Sequence, residues 1–163
     1  MNRQRARALM FWATLILALL LMLLPLPAAI APFKPYWPAL VLIYWALESG
    51  DRVNLGLAFM IGLGADVVDG VLLGEQALRL TALVFIVLRF RSRLRFFPMW
   101  QQALAVLALL LNDRILQLAV RAFASEPLPT WGYWISPLVG ALLWPFVFLV
   151  LDNLRARWRL HET

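Results

Sequence analysis

Two aspartates inside an apolar run are the residues whose type and position most suggest chemistry. Asp66 and Asp69 lie in the stretch 53–73, where most neighbouring side chains are apolar. A carboxylate surrounded by lipid is costly unless it faces protein or water, so an ionisable residue at such a place marks a candidate functional site. Their spacing of three residues puts the two carboxylates on nearly the same face of a helix.

A second polar group lies in a later apolar run, 101–123. Asp113, Gln117 and Arg121 recur every four residues and form a polar ladder along one helix face, with Arg114 beside it. Asp66 and Asp113 each come about 12 residues after the start of their run, or roughly 18 Å at 1.5 Å per residue. The sequence therefore predicts similar depths for the two aspartates, with Arg114 reaching Asp66 or Asp69.

Arg79 is expected to cover Asp69 from the start of the next helix. The candidate intramembrane cluster, which could also line a cavity, comprises Asp66, Asp69, Arg79, Asp113, Arg114 and Gln117. Three roles compete for it: polar contacts that fix helix register, a binding cavity for a small solute or a lipid headgroup, and catalysis.

The rest of the chain offers little for catalysis or for a metal. It has no Cys, and its single His is His161 in the charged C-terminal tail. These counts argue against a thiolate site, a His-based metal cluster and a Ser-His-Asp triad. No phosphate-binding loop, nucleophile elbow or HExxH motif occurs. We predict no catalytic, cofactor-binding or metal-binding residues and no enzymatic activity.

The composition places the protein in the membrane class. Hydrophobic residues make up 63% of the chain, against about 45–50% in soluble globular proteins. The net charge of +6 comes from arginines beside apolar runs rather than along one soluble face, so they indicate topology and not nucleic-acid binding. The sequence predicts one polytopic transmembrane domain over residues 1–163.

Six apolar runs predict an all-α integral membrane fold with six transmembrane helices. The spans are expected at about 8–30, 36–49, 53–73, 75–90, 101–123 and 134–153. Arginines cluster before the first run, after the fourth and after the sixth. Because positive charge favours the cytoplasm, these clusters predict that both termini are cytoplasmic.

Three alternatives accompany this topology. The first run, followed by Ala29-Ile30-Ala31, could be a cleaved signal peptide, although its length and Pro32 favour a retained helix. The second run is short and could form a re-entrant hairpin. The arginines from Arg89 to Arg95 could also bind anionic lipid or an acidic partner.

Small residues spaced by four indicate close helix packing in the third run. Ala58, Gly62, Asp66 and Gly70 share one such stripe, and Asp51 or Asn54 could cap the start of the helix. Trp100 and Trp144 are predicted to anchor at the membrane interface.

The motifs together resemble a known family. FKPYW at 33–37, RVNLG at 52–56, DGVLLGEQAL at 69–78, WQQAL at 100–104 and LLWP at 142–145 occur in an order and spacing similar to the MreD family of rod shape-determining membrane proteins. The family offers no agreed catalytic residues to carry over, and the positions that we predict to have structural or interaction importance are Arg52, Asn54, Gly62, Gly70, Gly74, Trp100, Gln101, Trp144 and Pro145.

The resemblance implies a non-enzymatic, multi-pass scaffold or regulator of cell elongation in the bacterial inner membrane, needed for rod shape and lateral peptidoglycan synthesis. It implies MreC as a direct partner, with MreB, RodA and the RodA transpeptidase partner in a wider complex, besides membrane lipid. The family also looks like the substrate-binding S-components of energy-coupling-factor transporters. The alternative function is therefore a solute-binding subunit of a vitamin-type uptake system.

Overall fold

The computed structural model describes residues 3–25, 27, 29–30, 33–49, 52–70, 73–125, 127 and 131–160. Within these residues the chain forms six α-helices, and the short 3₁₀ helix Trp131–Trp134 precedes the last of them. The α-helices are α1 Arg3–Met22, α2 Trp37–Glu48, α3 Leu55–Asp69, α4 Glu75–Leu94, α5 Met99–Phe123 and α6 Ile135–Leu160.

Three of these helices, α1, α5 and α6, are long and apolar enough to cross a membrane. The shorter α2 is apolar along its whole length, whereas the arginines of α4 lower its mean hydropathy. At 15 residues, α3 is about 22 Å long, against a hydrocarbon thickness of about 30 Å. The six predicted helical segments are thus all present, and three of them are long and apolar enough to span a membrane.

The helix ends differ from the sequence-based expectation at several places. α1 begins at Arg3 and ends at Met22, not near 30, because Pro25 and Pro27 follow directly and cannot continue the helix. The Lys34 ammonium donates to the Met22 carbonyl oxygen and satisfies one of the acceptors left at that end. Ala31 and Pro32, which belong to the proposed cleavage site, lie outside the described residues.

α2 is the central helix of the bundle. Every residue from Pro38 to Leu47 is buried, and the helix packs against α1, α4 and α6. A helix that is apolar on all faces is stable only when it is surrounded, and here neighbouring helices surround it. On the α1 side, the Trp45 indole donates to the Thr14 hydroxyl at 2.9 Å and meets the Phe11 ring edge to face.

α3 and α4 form a tight antiparallel hairpin. α3 begins at its cap, where the Asn54 side chain accepts from the Leu57 amide at 2.7 Å, and Asp51 lies outside the described residues. It ends at Asp69, and the next residue, Gly70, has a left-handed φ of 66°. Gly74, with φ 98°, precedes the first turn of α4. α3 therefore ends four residues earlier than predicted.

The far end of α4 also differs from the prediction. The helix continues to Leu94, so Arg89, Arg91 and Arg93 extend from helical backbone and not from a turn. The Arg91 Nε donates to the Leu47 carbonyl oxygen at 3.0 Å, which joins α4 to the last turn of α2. This contact satisfies a carbonyl that the helix end leaves without a partner.

Candidate functional site

Asp66, a residue of α3, closes the hairpin by capping the first turn of α4. Its side chain is buried, with 1% of the residue exposed. Its Oδ2 accepts from the Gly74 amide and its Oδ1 from the Gln76 amide, both at 2.8 Å. The first amides of a helix have no partner within the helix and carry partial positive charge, so a carboxylate at this place is stabilised twice, by hydrogen bonds and by the helix dipole.

Gln76 connects this cap to two other segments. Its side-chain nitrogen, Nε2, donates to the Asp69 carboxylate at 3.0 Å and to the Ala65 carbonyl oxygen at 3.3 Å. Its side-chain oxygen accepts from the Tyr36 hydroxyl at 2.8 Å. Because Tyr36 directly precedes α2, this one buried glutamine joins the start of α2 to the α3–α4 hairpin.

Arg79 and Asp113 form a bidentate ion pair between α4 and α5. The Arg79 Nε lies 3.0 Å from Asp113 Oδ1, and Nη2 lies 2.6 Å from Oδ2. The two residues are 4% and 2% exposed. The Arg79 guanidinium also lies over the Tyr36 ring, 4.7 Å from its centroid, and 3.8 Å from a Glu75 oxygen. Two N–H groups of the guanidinium therefore bond to the Asp113 carboxylate, and one face of its plane lies against the Tyr36 ring.

These contacts form one connected unit, called the polar network below. Its members are Tyr36, Asp66, Asp69, Glu75, Gln76, Arg79 and Asp113. The sequence-based pairing of Arg114 with Asp66 or Asp69, and of Arg79 with Asp69, is replaced by a different arrangement. α4 packs against both α3 and α5, so Arg79 on α4 meets the α5 aspartate, while Asp66 on α3 caps the start of α4.

Arg114 and Gln117 belong to a neighbouring cluster around Tyr133. The Arg114 Nη1 donates to the Gln117 side-chain oxygen at 2.9 Å, and its guanidinium lies over the Tyr133 ring at 4.4 Å. The Tyr133 hydroxyl lies 2.5 Å from the same Gln117 oxygen and 3.0 Å from the Arg114 carbonyl oxygen. This cluster holds the 3₁₀ helix before α6 against α5.

Trp144 is not at an interface. The residue is fully buried, and its indole donates to the Gln102 side-chain oxygen at 3.0 Å. Gln102 in turn donates to the Leu94 carbonyl at 3.2 Å, so it links α4, α5 and α6. The predicted anchoring role is therefore wrong for Trp144, since an apolar ring with one polar atom is equally suited to a core that offers an acceptor. Trp100 is 64% exposed.

The other predicted residues lie in separate places. Gly62 is buried against α4, whereas Gly70 and Gly74 form the left-handed ends of the hairpin turn. Arg52 is half-buried in the turn before α3, and Pro145 is half-buried within α6. Gln101 is half-buried, and it is the adjacent Gln102 that makes the buried contacts.

Sequence reasoning missed a second charged group at the other end of α2. Arg155 on α6 lies 3.1 Å from the Glu48 carboxylate and 3.3 Å from Asp152. The Tyr44 hydroxyl is 3.3 Å from the same Asp152 oxygen. The acidic residue that ends α2 and the Asp152/Arg155 spacing of three were the available signals. Gln76 and Gln102 could have been found as amides among apolar neighbours.

Two carboxylates of the polar network, those of Asp66 and Asp113, have both oxygens engaged in contacts within the chain. Asp66 uses both oxygens on α4 amides, and Asp113 uses both on Arg79. In the described ranges, no group of three or more His, Cys, Asp or Glu side chains could hold a metal ion. The arrangement is best suited to a structural role: it fixes the positions and rotations of α2, α3, α4 and α5 relative to one another.

Asp66→Asn should destabilise the protein by about 1–2 kcal/mol. Asparagine keeps one acceptor oxygen for one α4 amide, but its amide group cannot accept from the other and carries no charge for the helix dipole. SDS-induced unfolding in mixed micelles would measure the loss. Asp69→Asn is the matched control, since Asp69 is exposed and, among the described residues, accepts only from Gln76. Equal effects of the two changes would contradict the capping role.

The fold and the network together define a helical membrane protein whose buried charges join its helices. Comparison with known proteins identifies the family within this class. The family model described as "rod shape-determining protein MreD" matches residues 2–154. A "Rod shape-determining protein MreD" from Haemophilus influenzae is 31% identical over 161 residues, covering 96% of this chain and 99% of that protein. The chain belongs to the MreD family. No solved structure matches it.

Proposed function

We propose that this protein is a non-catalytic scaffold or regulator of the bacterial cell-elongation machinery, acting in the inner membrane for rod shape and lateral peptidoglycan synthesis. The observation that carries the proposal is the family match across residues 2–154. The polar network supports a structural role, because Asp66 and Asp113 each have both oxygens engaged within the chain. Nothing in the comparisons favours a solute-binding uptake subunit.

The proposed direct partner is MreC, with MreB, RodA and the RodA transpeptidase partner in a wider complex. In a rod-shaped host depleted of its own MreD-family protein, expression of this chain should restore rods, and tagged MreC should co-purify with it in mild detergent. Cell width and length, measured by microscopy, give the readout. Cells that stay rounded despite normal membrane levels of the chain would refute the proposed function, and restored rods without MreC co-purification would refute the direct contact.

The proposed topology has six crossings with both termini in the cytoplasm, in an arrangement like that of the transporter S-components. Its support is the distribution of arginines at Arg3–Arg7, Arg89–Arg95 and Arg155–Arg159. Because the chain has no native Cys, single cysteines can be introduced without background. A cysteine at Ser92 should be protected from a membrane-impermeant thiol reagent in intact cells, whereas one at Ser125 should be labelled. The reverse pattern would overturn this orientation.

A further inference from the structure

The last turns of α4 form a basic cleft that the polar network does not involve. Two overlapping cavities of about 360 and 350 Å³ lie there, both lined by Arg89 and Ser92. The larger cavity is bordered by Leu88, Arg89, Arg91, Ser92, Arg95 and Phe96, which we call the basic cleft. Its volume lies within the range of about 300–1,000 Å³ that small-ligand sites occupy.

The positive charge of the basic cleft is not balanced within the described residues. Arg79 and Arg155 each meet a carboxylate, but no Asp or Glu in the described ranges lies within ion-pair distance of Arg89, Arg91 or Arg95. The sequence contains no acidic residue between Glu75 and Asp113. Guanidinium groups without a carboxylate, beside a serine hydroxyl, suit an oxoanion such as a phosphate.

One wall of the basic cleft is held in place. Arg91 is half-buried, and its Nε donates to the Leu47 carbonyl at the end of α2. This contact fixes the guanidinium plane and leaves the two terminal nitrogens, for which no hydrogen-bond partner exists among the described residues. An arginine fixed in this way loses less entropy on binding an anion than a free surface arginine does.

Exposed apolar rings surround the same cleft. Phe96 is 82% exposed, Phe90 is 46% exposed, and the helix that leads to them is apolar from Leu80 to Leu88 apart from Thr81. Arginines beside exposed aromatic rings at the end of an apolar helix are typical of the boundary between hydrocarbon and water. A ligand of this cleft therefore combines an anionic head with an apolar body.

We propose that the basic cleft binds the phosphate of an anionic phospholipid, with Arg89, Arg91 and Arg95 around the headgroup and Phe96 against the acyl chains. The inference requires only that the chain lies in a membrane, and it stands independently of the proposed scaffold function. An acidic protein segment would satisfy the arginines but would leave the phenylalanines exposed.

The test compares two double variants of the full chain. Arg89→Gln/Arg95→Gln removes two charges from the basic cleft and leaves the Arg91 contact to α2 intact. Arg5→Gln/Arg157→Gln removes two exposed charges outside it. Titration with phosphatidylglycerol in detergent, followed by native mass spectrometry, gives the dissociation constant of each protein. Each cleft arginine should contribute about fivefold, so the first variant should bind about 25-fold more weakly and the control within about twofold.

Competition distinguishes the sources of the anion. Inorganic phosphate and an acidic peptide, each at the concentration of the lipid, should leave phosphatidylglycerol bound, and Phe96→Ser should weaken the lipid without affecting phosphate. Displacement by inorganic phosphate would assign the site to a free anion, and stronger displacement by the peptide would assign it to a protein. Either result, or equal weakening in the two double variants, would overturn the proposal. All variants change exposed residues, and circular dichroism verifies their folding.

Discussion

Arg79→Met should lower the free energy of unfolding by about 3–5 kcal/mol. The change leaves Asp113 buried with no partner for its charge, because both of its oxygens bond to Arg79 and only 2% of the residue is exposed. The guanidinium is also lost from the Tyr36 ring and from Glu75. Equilibrium unfolding of the purified protein in mixed micelles, with SDS as the denaturant, measures the effect.

The double variant Arg79→Met/Asp113→Leu should recover most of that loss. Two apolar side chains of similar size replace the pair, so neither of its two charges remains buried without a partner, and such replacements are often neutral. The part of the loss that is not recovered comes from Glu75, which still lacks its contact with Arg79. Arg89→Met, which changes an exposed arginine on the same helix, is the control and should cost less than about 0.5 kcal/mol. A double variant no more stable than Arg79→Met would show that the two residues do not act as a pair.

The same double variant distinguishes a purely structural role of the buried ion pair from an active role in the function of the protein. If the protein acts only as a scaffold, Arg79→Met/Asp113→Leu should still restore rod shape in depleted cells, provided that it reaches the membrane at normal levels. Loss of shape with a stable, normally inserted protein would contradict the scaffold proposal and would assign an active role to the buried charges.

Gly62→Ala should destabilise the α3–α4 hairpin by about 2–3 kcal/mol. A Cβ on Gly62 would lie 2.3 Å from the Ala77 Cα and 2.7 Å from the Gln76 carbonyl oxygen. These are backbone atoms at the start of α4, so no side-chain rotation can make room and the two helices must separate. SDS unfolding and the thermal midpoint in detergent both measure the loss.

Gly64→Ala is the matched control on the same helix. There the added Cβ would meet only the end of Leu19, at the ordinary contact distance of 3.9 Å. Alanine is also the better helix former, so we expect no loss of stability or a gain of up to about 1 kcal/mol. Equal destabilisation by the two changes would mean that general helix packing, not the contact with Ala77, determines the cost.

Gly62 and Asp66 should be coupled. The close approach at Gly62 brings the start of α4 within reach of Asp66, which lies one helical turn further along α3. If Gly62→Ala moves the helices apart, Asp66→Asn should cost less in that background than in the wild type. A double-mutant cycle gives the coupling energy, and strict additivity would argue against the link.

The sequence by itself determined the class of the protein and most of its helical segments. The apolar composition indicated a membrane protein, the apolar runs indicated the six helices, and Asn54 was one of two predicted caps for α3. The ends of α1 and α3 were predicted too late, although prolines follow α1 and Gly70 follows α3. The stripe of Ala58, Gly62 and Asp66 predicted a close helix contact, which α4 makes. The motifs from 33 to 145 indicated the family. Each of these inferences depends on local chemistry or on composition.

Only the tertiary structure decided which polar groups meet. In a soluble protein, the apolar face of a helix identifies the side that packs, but a membrane helix is apolar towards lipid and towards its neighbours alike. Periodicity therefore could not place α4 between α3 and α5, and without that placement Arg79 could not be paired with Asp113, nor Trp144 assigned to the core beside Gln102. The partners of these side chains depend on helix order and rotation, which arise from contacts between residues distant in the chain.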